Sequence, residues 1–152
     1  MYNSIVNSQT IEDVQTMEKV DHIGIAVKSL ENSLPYYTEI LGLKLIHIEE
    51  VESEKVRVAF IDSGNVKLEL LEPIEETSNI HKKKKKKGEG IHHVAFGVKN
   101  IQERLDELKE KGVRLIQETP KIGAGGAEVA FIHPKSSGGV LYELCDKSRG
   151  AK

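Results

Sequence analysis

The sequence predicts an α+β fold built from two copies of a βαβββ module. The first observation is an internal repeat. Residues 22–45 read HIGIAVKSLENSLPYYTEILGLKL, and residues 93–115 read HVAFGVKNIQERLDELKEKGVRL. Two copies of one supersecondary unit explain this self-similarity most economically. The second observation is that each copy carries a histidine and a glutamate at matching places in apolar strands.

Each copy predicts the same order of elements. A strand (20–27 or 91–98) leads into a helix (30–41 or 101–111) that ends at Gly42 or Gly112. Glycine is favoured just after a helix because it adopts positive φ without strain. Three further strands follow in each copy, separated by turn-forming residues. Their predicted ranges are 44–50, 55–62 and 66–72 in the first copy, and 113–119, 127–133 and 139–145 in the second.

The pattern divides the chain into a lead-in at 1–19, a single domain at 20–147 and a tail at 148–152. Within the domain, module 1 spans 20–72 and module 2 spans 91–147. The linker between them, 73–90, contains six consecutive lysines at 82–87. A solvated linker is one reading of this run, and a cationic lip for a phosphorylated substrate is the other. Charge alone does not choose between them. We expect the lead-in to be mobile.

Composition excludes several classes of protein. The chain has 152 residues, of which 38% are hydrophobic and 30% charged, as in ordinary globular domains. Its apolar runs have the length of strands, so we expect no membrane span. A net charge of -2 predicts no general attraction to nucleic acid. With one cysteine, Cys145, and no basic or long apolar N-terminal segment, a cytoplasmic location is expected.

The first strand of each module presents a histidine beside small residues. Side chains alternate between the faces of a strand, so His22 shares a face with Gly24 and Ala26. His93 likewise shares a face with Ala95 and Gly97. The larger residues of both strands point the other way, towards the predicted helices. Small neighbours leave room next to each histidine, and that room suggests a ligand.

The last strand of each module carries a carboxylate among apolar residues, Glu69 and Glu143. Such a group must be paired, hydrogen-bonded, metal-bound or exposed to water. Alone, a histidine or a glutamate in a strand is usually structural, but here both types recur at equivalent places. Two imidazoles and two carboxylates form a mixed nitrogen and oxygen site suited to Zn, Co, Ni, Mn or Fe(II).

Other candidate residues have simpler explanations. The histidines at 47, 81, 92 and 133 fall outside the register that aligns His93 with His22, and Cys145 belongs to no nucleophile motif. The glycines at 123, 125 and 126 lack the strand–loop–helix context of a phosphate-binding loop. We interpret them as a turn where backbone approaches the substrate closely.

Five motifs together resemble the vicinal oxygen chelate superfamily and, within it, the methylmalonyl-CoA epimerase family. They are DHIGIAV at 21–27, KLELLEP at 67–73, GEGIHHVAF at 88–96, KIGAGG at 121–126 and FIHPKSSGGVLYEL at 131–144. The resemblance covers about 20–147. It implies that the two modules form one cupped mixed sheet around a metal site. It also implies one divalent metal ion (Co, Mn, Ni, Zn or Mg) on His22, Glu69, His93 and Glu143, with Glu143 also the catalytic acid/base.

The same resemblance implies a reaction and an assembly. The expected reaction is the interconversion of (R)- and (S)-methylmalonyl-CoA in propionate metabolism, by α-proton abstraction through a metal-stabilised enolate. A homodimer is also implied. One position departs from the family pattern, because Val58 stands where some members carry a second catalytic glutamate. Water or Glu69 could fill that role.

Two other functions fit the same residues. The first is another metal-dependent reaction on this scaffold, such as a glyoxalase I-type isomerisation, which also moves a proton beside a carbonyl. The second is a metal-free protein that binds a small molecule. Retention of all four ligand-type residues argues against the second.

Overall fold

The computed structural model describes residues 17–74 and 88–148. The first sixteen residues, the lysine run at 82–87 and residues 149–152 lie outside the described residues, so the expectations for them stay predictions. No helix within the described ranges is long and apolar enough to cross a membrane.

The first module has the predicted order of elements. Its helix α1 begins after Ser29, whose hydroxyl accepts a hydrogen bond from the backbone N–H of Asn32. A π-helical turn, Tyr36–Ile40, continues α1, and the backbone N–H of Leu41 bonds five residues back. The elements are β1 (Lys19–Ala26), α1 (Leu30–Pro35), β2 (Lys44–Val51), β3 (Val56–Asp62) and β4 (Lys67–Pro73).

The second module departs from the prediction in one strand. The predicted strand at 113–119 is wrong: only an isolated bridge between Leu115 and Ile132 forms there. Main-chain bonds from Ile116 to Phe131 and from His133 to Arg114 flank this bridge. The N–H of Phe131, however, donates to the side chain of Gln117 at 2.7 Å and not to the main chain. Pro120, which has no N–H, then precedes a two-residue strand. The elements are β5 (Gly90–Gly97), α2 (Ile101–Glu110), β6 (Lys121–Ile122), β7 (Glu128–Ile132) and β8 (Tyr142–Asp146).

All eight strands form one mixed sheet in the order β2-β3-β4-β1-β5-β8-β7-β6. The modules meet at the centre, where β1 and β5 pair in antiparallel fashion. Inside each module the first strand pairs in parallel with the last, β1 with β4 and β5 with β8. This arrangement confirms the duplicated α+β fold that the repeat predicted.

Each helix covers one half of the outer face of the sheet. Leu30 of α1 packs with Ile61 and Leu70, and Leu105 of α2 packs with Leu144 in an equivalent cluster. All five side chains are fully buried. The inner face is therefore left free to line the cup.

The two edges of the sheet are bridged to each other. A carboxylate oxygen of Glu49 on β2 accepts the backbone N–H of Gly125 at 2.9 Å. Beside it, the Ser53 hydroxyl donates to the carbonyl of Ile122 at 3.1 Å, and Lys121 forms an ion pair with Glu54. We call these three contacts the edge bridge. Because they join the first module to the second, the sheet curls into a cup.

The helix-side cores should carry most of the stability. Leu144→Ala leaves a cavity under α2, and we expect the free energy of unfolding to fall by about 2–5 kcal/mol. Leu41→Ala makes the same change at a side chain that is 48% exposed and should cost much less. Urea denaturation of both variants measures the difference. Equal losses would mean that the cluster around Leu144 does not anchor the fold.

Candidate metal centre

Two β-bulges shape the centre of the sheet. Between β1 and β5, Val20 pairs with Phe96 and His22 with Ala95, so Asp21 is an extra residue on β1. Further along, the pairing skips His92 on β5 in the same way. A bulge breaks the strict alternation of faces. Asp21 and His92 therefore lie beside the histidine that follows each of them.

Three of the four predicted ligands converge on one point. The Nε2 atoms of His22 and His93 are 3.2 Å apart. Glu143 Oε1 lies 3.0 Å from Nε2 of His22 and 3.7 Å from Nε2 of His93. All three side chains are buried. The ligand atoms thus form a compact triangle.

This triangle fits a divalent cation. Ligands about 2.1 Å from a six-coordinate ion lie roughly 3.0 Å apart when they occupy neighbouring positions. Glu143 Oε1 is buried and forms no hydrogen bond. A buried carboxylate oxygen without such a partner requires an explanation, and a cation supplies one. Among the described residues, these three also form one of two groups of metal-type ligand atoms that lie within 4.8 Å of one another.

Glu69 approaches from a different side. Its Oε2 lies 3.3 Å from Nδ1 of His22, on the ring edge opposite the triangle. Cross-strand pairing places Glu69 next to Gly24, so it belongs to the same inner face. Its carboxylate is buried with the cluster, but in this structure it contacts a ligand side chain rather than the triangle itself.

The bulged residues support the two histidines. Asp21 Oδ2 lies 2.8 Å from His22 Nδ1, and His92 Nδ1 lies 2.9 Å from His93 Nδ1. A partner on Nδ1 fixes the ring and leaves Nε2 to act as a ligand. Asp21 and His92 are 71 residues apart, which is the offset of the repeat. Each module therefore places a supporting group directly before its histidine.

Burial and neighbouring charges shift the protonation of this cluster. Burial raises the pKa of Glu69 to about 7. The charge of Glu143 also raises this pKa, and the charge of His22 lowers it. Burial opposes protonation of His22, but the charge of Glu69 and the bond to Asp21 outweigh it and raise the pKa of His22. Burial also acts on Asp21, whose pKa is nevertheless lowered because His22 and Lys147 bond to its carboxylate.

The three convergent side chains and Glu69 line a cavity of about 50 Å³. That is room for a few water molecules or a hydrated ion. Apolar walls surround it, among them Phe60 of module 1 and Phe131 of module 2. Val58 lies in this wall and carries no group that can move a proton. Gly123 and Ala124 also line the cavity, where the glycine-rich turn was expected to approach a substrate.

Sequence reasoning missed Asp21 and His92 as supporting groups. Simple alternation places both on the outer face, and only the bulges turn them inward. The available signal was the repeat itself, since a polar residue precedes the histidine in both copies. His133, which the repeat register left outside the ligand set, lies directly before a turn and accepts a hydrogen bond from the backbone N–H of Lys135.

Comparisons with known proteins place the chain among relatives. A family model described as "Glyoxalase/Bleomycin resistance protein/Dioxygenase superfamily" matches residues 21–131. "Uncharacterized protein YqjC" of Bacillus subtilis is 46% identical over 130 residues, which are 86% of this chain and 93% of that protein. The mitochondrial methylmalonyl-CoA epimerase of Homo sapiens is 39% identical over 137 residues, 90% of this chain and 78% of that protein.

A solved structure agrees with these relatives. It is a variant of Streptomyces coelicolor methylmalonyl-CoA epimerase in complex with 2-nitronate-propionyl-CoA. It is 34% identical, has a TM-score of 0.82, and the match covers 90% of this chain and 99% of that one. The chain therefore belongs to the glyoxalase/bleomycin resistance protein/dioxygenase superfamily and, within it, to the methylmalonyl-CoA epimerase family.

Proposed function

We propose that this protein is a metal-dependent epimerase that interconverts (R)- and (S)-methylmalonyl-CoA. The observation that carries the metal centre is the meeting of two imidazole Nε2 atoms and a buried carboxylate oxygen without a hydrogen bond. Similarity to epimerases over about nine tenths of the chain supports the substrate. We also propose that the protein acts in propionate metabolism and that it forms a homodimer. Measurement of the molar mass of the purified protein in solution tests the homodimer.

His22, His93 and Glu143 are the proposed ligands of one divalent cation, and Glu69 is the fourth. Glu69 completes the set because its carboxylate lies beside His22 in the same buried cluster. Co, Mn, Ni, Zn and Mg are the candidate ions. When bound, the cation stabilises the negative charge that develops on the oxygens of the substrate.

Glu143 is the proposed acid/base. The α-hydrogen of the substrate lies between a thioester carbonyl and a carboxylate, so its removal gives an enolate. Glu143 can accept this proton because its carboxylate lines the cavity and has a second oxygen besides Oε1, the atom assigned to the cation. The aromatic walls formed by Phe60 and Phe131 exclude bulk water, which strengthens electrostatic interactions inside the cup.

Inversion needs a proton from the opposite face of the enolate. Val58 cannot supply it. Glu69 lies across the His22 ring from Glu143, so the two carboxylates approach the centre from different sides. Glu69 is therefore the leading candidate for the second transfer, and a water molecule is the alternative.

The position of His93 depends on Gly24. A Cβ atom at residue 24 would lie 2.2 Å from Cε1 of the His93 ring. No side chain tolerates such a contact, so the ring occupies space that only glycine leaves free. The small residue noted in the sequence thus holds the room for a ligand histidine.

Solvent exchange tests the proposed reaction. Metal-loaded protein in deuterated water should exchange the α-hydrogen of methylmalonyl-CoA, and Co, Mn, Ni, Zn and Mg can be compared. Glu143→Gln should lower both exchange and epimerisation at least about 100-fold, because it removes the acid/base. Absence of exchange with every metal would eliminate the proposal, as would turnover of a glutathione hemithioacetal in place of methylmalonyl-CoA.

Glu69→Gln is the matched control for that experiment. Its amide oxygen can still serve as a ligand, so we expect deuterium exchange to be retained. If exchange continues while inversion is lost, Glu69 provides the second proton. If both continue, water does so, and Glu69 is only a ligand.

Gly24→Ala should weaken metal binding. Displacement of His93 removes one ligand from its position, and we expect the Kd for Co²⁺ to rise about 10–100-fold. Gly97→Ala is the control on the partner strand, because its added Cβ would have its nearest neighbour at 3.8 Å. Isothermal titration measures both. An unchanged Kd in Gly24→Ala would show that His93 is not a ligand.

Metal affinity should increase with pH. The cation binds the deprotonated forms of its ligands, and the raised pKa values of Glu69 and His22 keep protons on the cluster below about pH 7. Binding should therefore release protons and strengthen between about pH 6 and pH 8. Titration of Zn²⁺ in two buffers of different ionisation enthalpy counts the protons. Affinity independent of pH would contradict the assignment.

A further inference from the structure

A second cavity adjoins the cup. It has a volume of about 600 Å³ and is lined by strand ends and turns of both modules. Cys145 and Lys147 line this cavity and the metal cavity alike. We call the second cavity the lysine cleft, after four residues that line it: Lys19, Lys67, Lys99 and Lys147.

The lysine cleft continues the row of proposed ligands. Lys67 lies two residues before Glu69 on β4 and shares its face of the strand. On β8, Cys145 lies two residues after Glu143, and Lys147 follows the end of the strand. The two cavities therefore lie along the same strands and share Cys145 and Lys147 in their walls.

Four lysines and three carboxylates, those of Glu18, Asp21 and Asp62, line the cleft, so positive charges exceed negative charges by one. Lys67 and Lys147 both line the cleft, and they are close enough for Lys147 to act on the protonation of Lys67. Lys147 is 3.0 Å from Asp21, which is also bonded to His22. Lys67 has no carboxylate within 4.0 Å among the residues that the structure describes. Burial and the neighbouring Lys147 lower the pKa of Lys67. Lys67 therefore adds a positive charge that no nearby carboxylate among these residues neutralises, and this charge favours an anion.

We propose that the lysine cleft binds the phosphate groups of the CoA moiety, with the adjacent Lys67 and Lys147 as their main anchor. This inference rests on the proposed function. The metal cavity, at about 50 Å³, is too small for a nucleotide, which must lie outside it. The cleft has the size typical of ligand sites. Lysine binds phosphate through charge with little directional demand, which suits a flexible ligand.

Two substrates that differ only in their phosphates test the proposal. Methylmalonyl-CoA carries them, and methylmalonyl-pantetheine has the same acyl group and thioester arm without them. In Lys67→Gln we expect the ratio of kcat/KM for the CoA ester to that for the pantetheine ester to fall about tenfold. Lys67→Arg keeps the charge and should restore most of the ratio. Lys111→Gln, at the end of α2, is the control and should leave it unchanged.

Other outcomes would overturn the inference. An equal loss for both esters would mean that Lys67 acts on the acyl group or, through Asp21, on His22. An unchanged ratio would mean that no phosphate binds there. If the ratio is unchanged in Lys67→Gln but falls when the lysines at 82–87 are replaced by serine, the linker binds the phosphates.

A binding measurement separates this inference from the epimerase proposal. CoA itself should bind more tightly than pantetheine in isothermal titration. In Lys67→Gln we expect the ratio of the Kd for pantetheine to the Kd for CoA to fall about tenfold. Added NaCl should weaken CoA binding more in the unmodified protein than in the variant, because screening acts on the charge that the variant lacks. If CoA binds in this way but deuterium exchange is absent, phosphate binding in the lysine cleft is supported and the epimerase proposal is wrong. If exchange occurs but CoA and pantetheine bind equally, only the proposal of phosphate binding is wrong.

Discussion

The antiparallel seam between β1 and β5 is the constraint on which the rest of the molecule depends. It brings together His22 and His93, which are 71 residues apart, with their Nε2 atoms at 3.2 Å. The seam works because its register sets Gly24 opposite His93 and leaves space for the ring. A shift of one strand by one residue would turn its histidine to the helix side and separate it from the other. Strand pairing, rather than any loop, thus positions the centre.

A buried polar centre of this kind is costly, and the fold offsets the cost elsewhere. Glu69 and Glu143 are both at least 94% buried, as are His22 and His93. Removing such groups from water is unfavourable unless they find partners. Two apolar clusters, one under each helix, lie on the other face of the same strands. The polar face can therefore serve chemistry while the apolar face holds the sheet together.

Duplication gives the site a two-fold arrangement whose halves have diverged. Phe60 pairs with Glu69 in one module, and Phe131 pairs with Glu143 in the other. Yet the residues that support the histidines differ: Asp21 is a carboxylate and His92 an imidazole. The two carboxylates also differ in contacts, since Glu69 meets Nδ1 of His22 and Glu143 meets Nε2. Inversion of one carbon needs a proton acceptor on one face and a proton donor on the other.

The sequence by itself determined the duplicated modules, most element positions and the four candidate ligands. Repeats and periodicity can be read directly from the order of the residues, without knowledge of which strands pair. It failed at 113–119, where the side chain of Gln117 replaces a main-chain bond. Only the tertiary structure decided which ligand atoms converge, that Asp21 and His92 turn inward at bulges, and that Lys67 and Lys147 line one cleft. These features depend on strand register and on contacts between distant residues, which alternation along one strand does not encode.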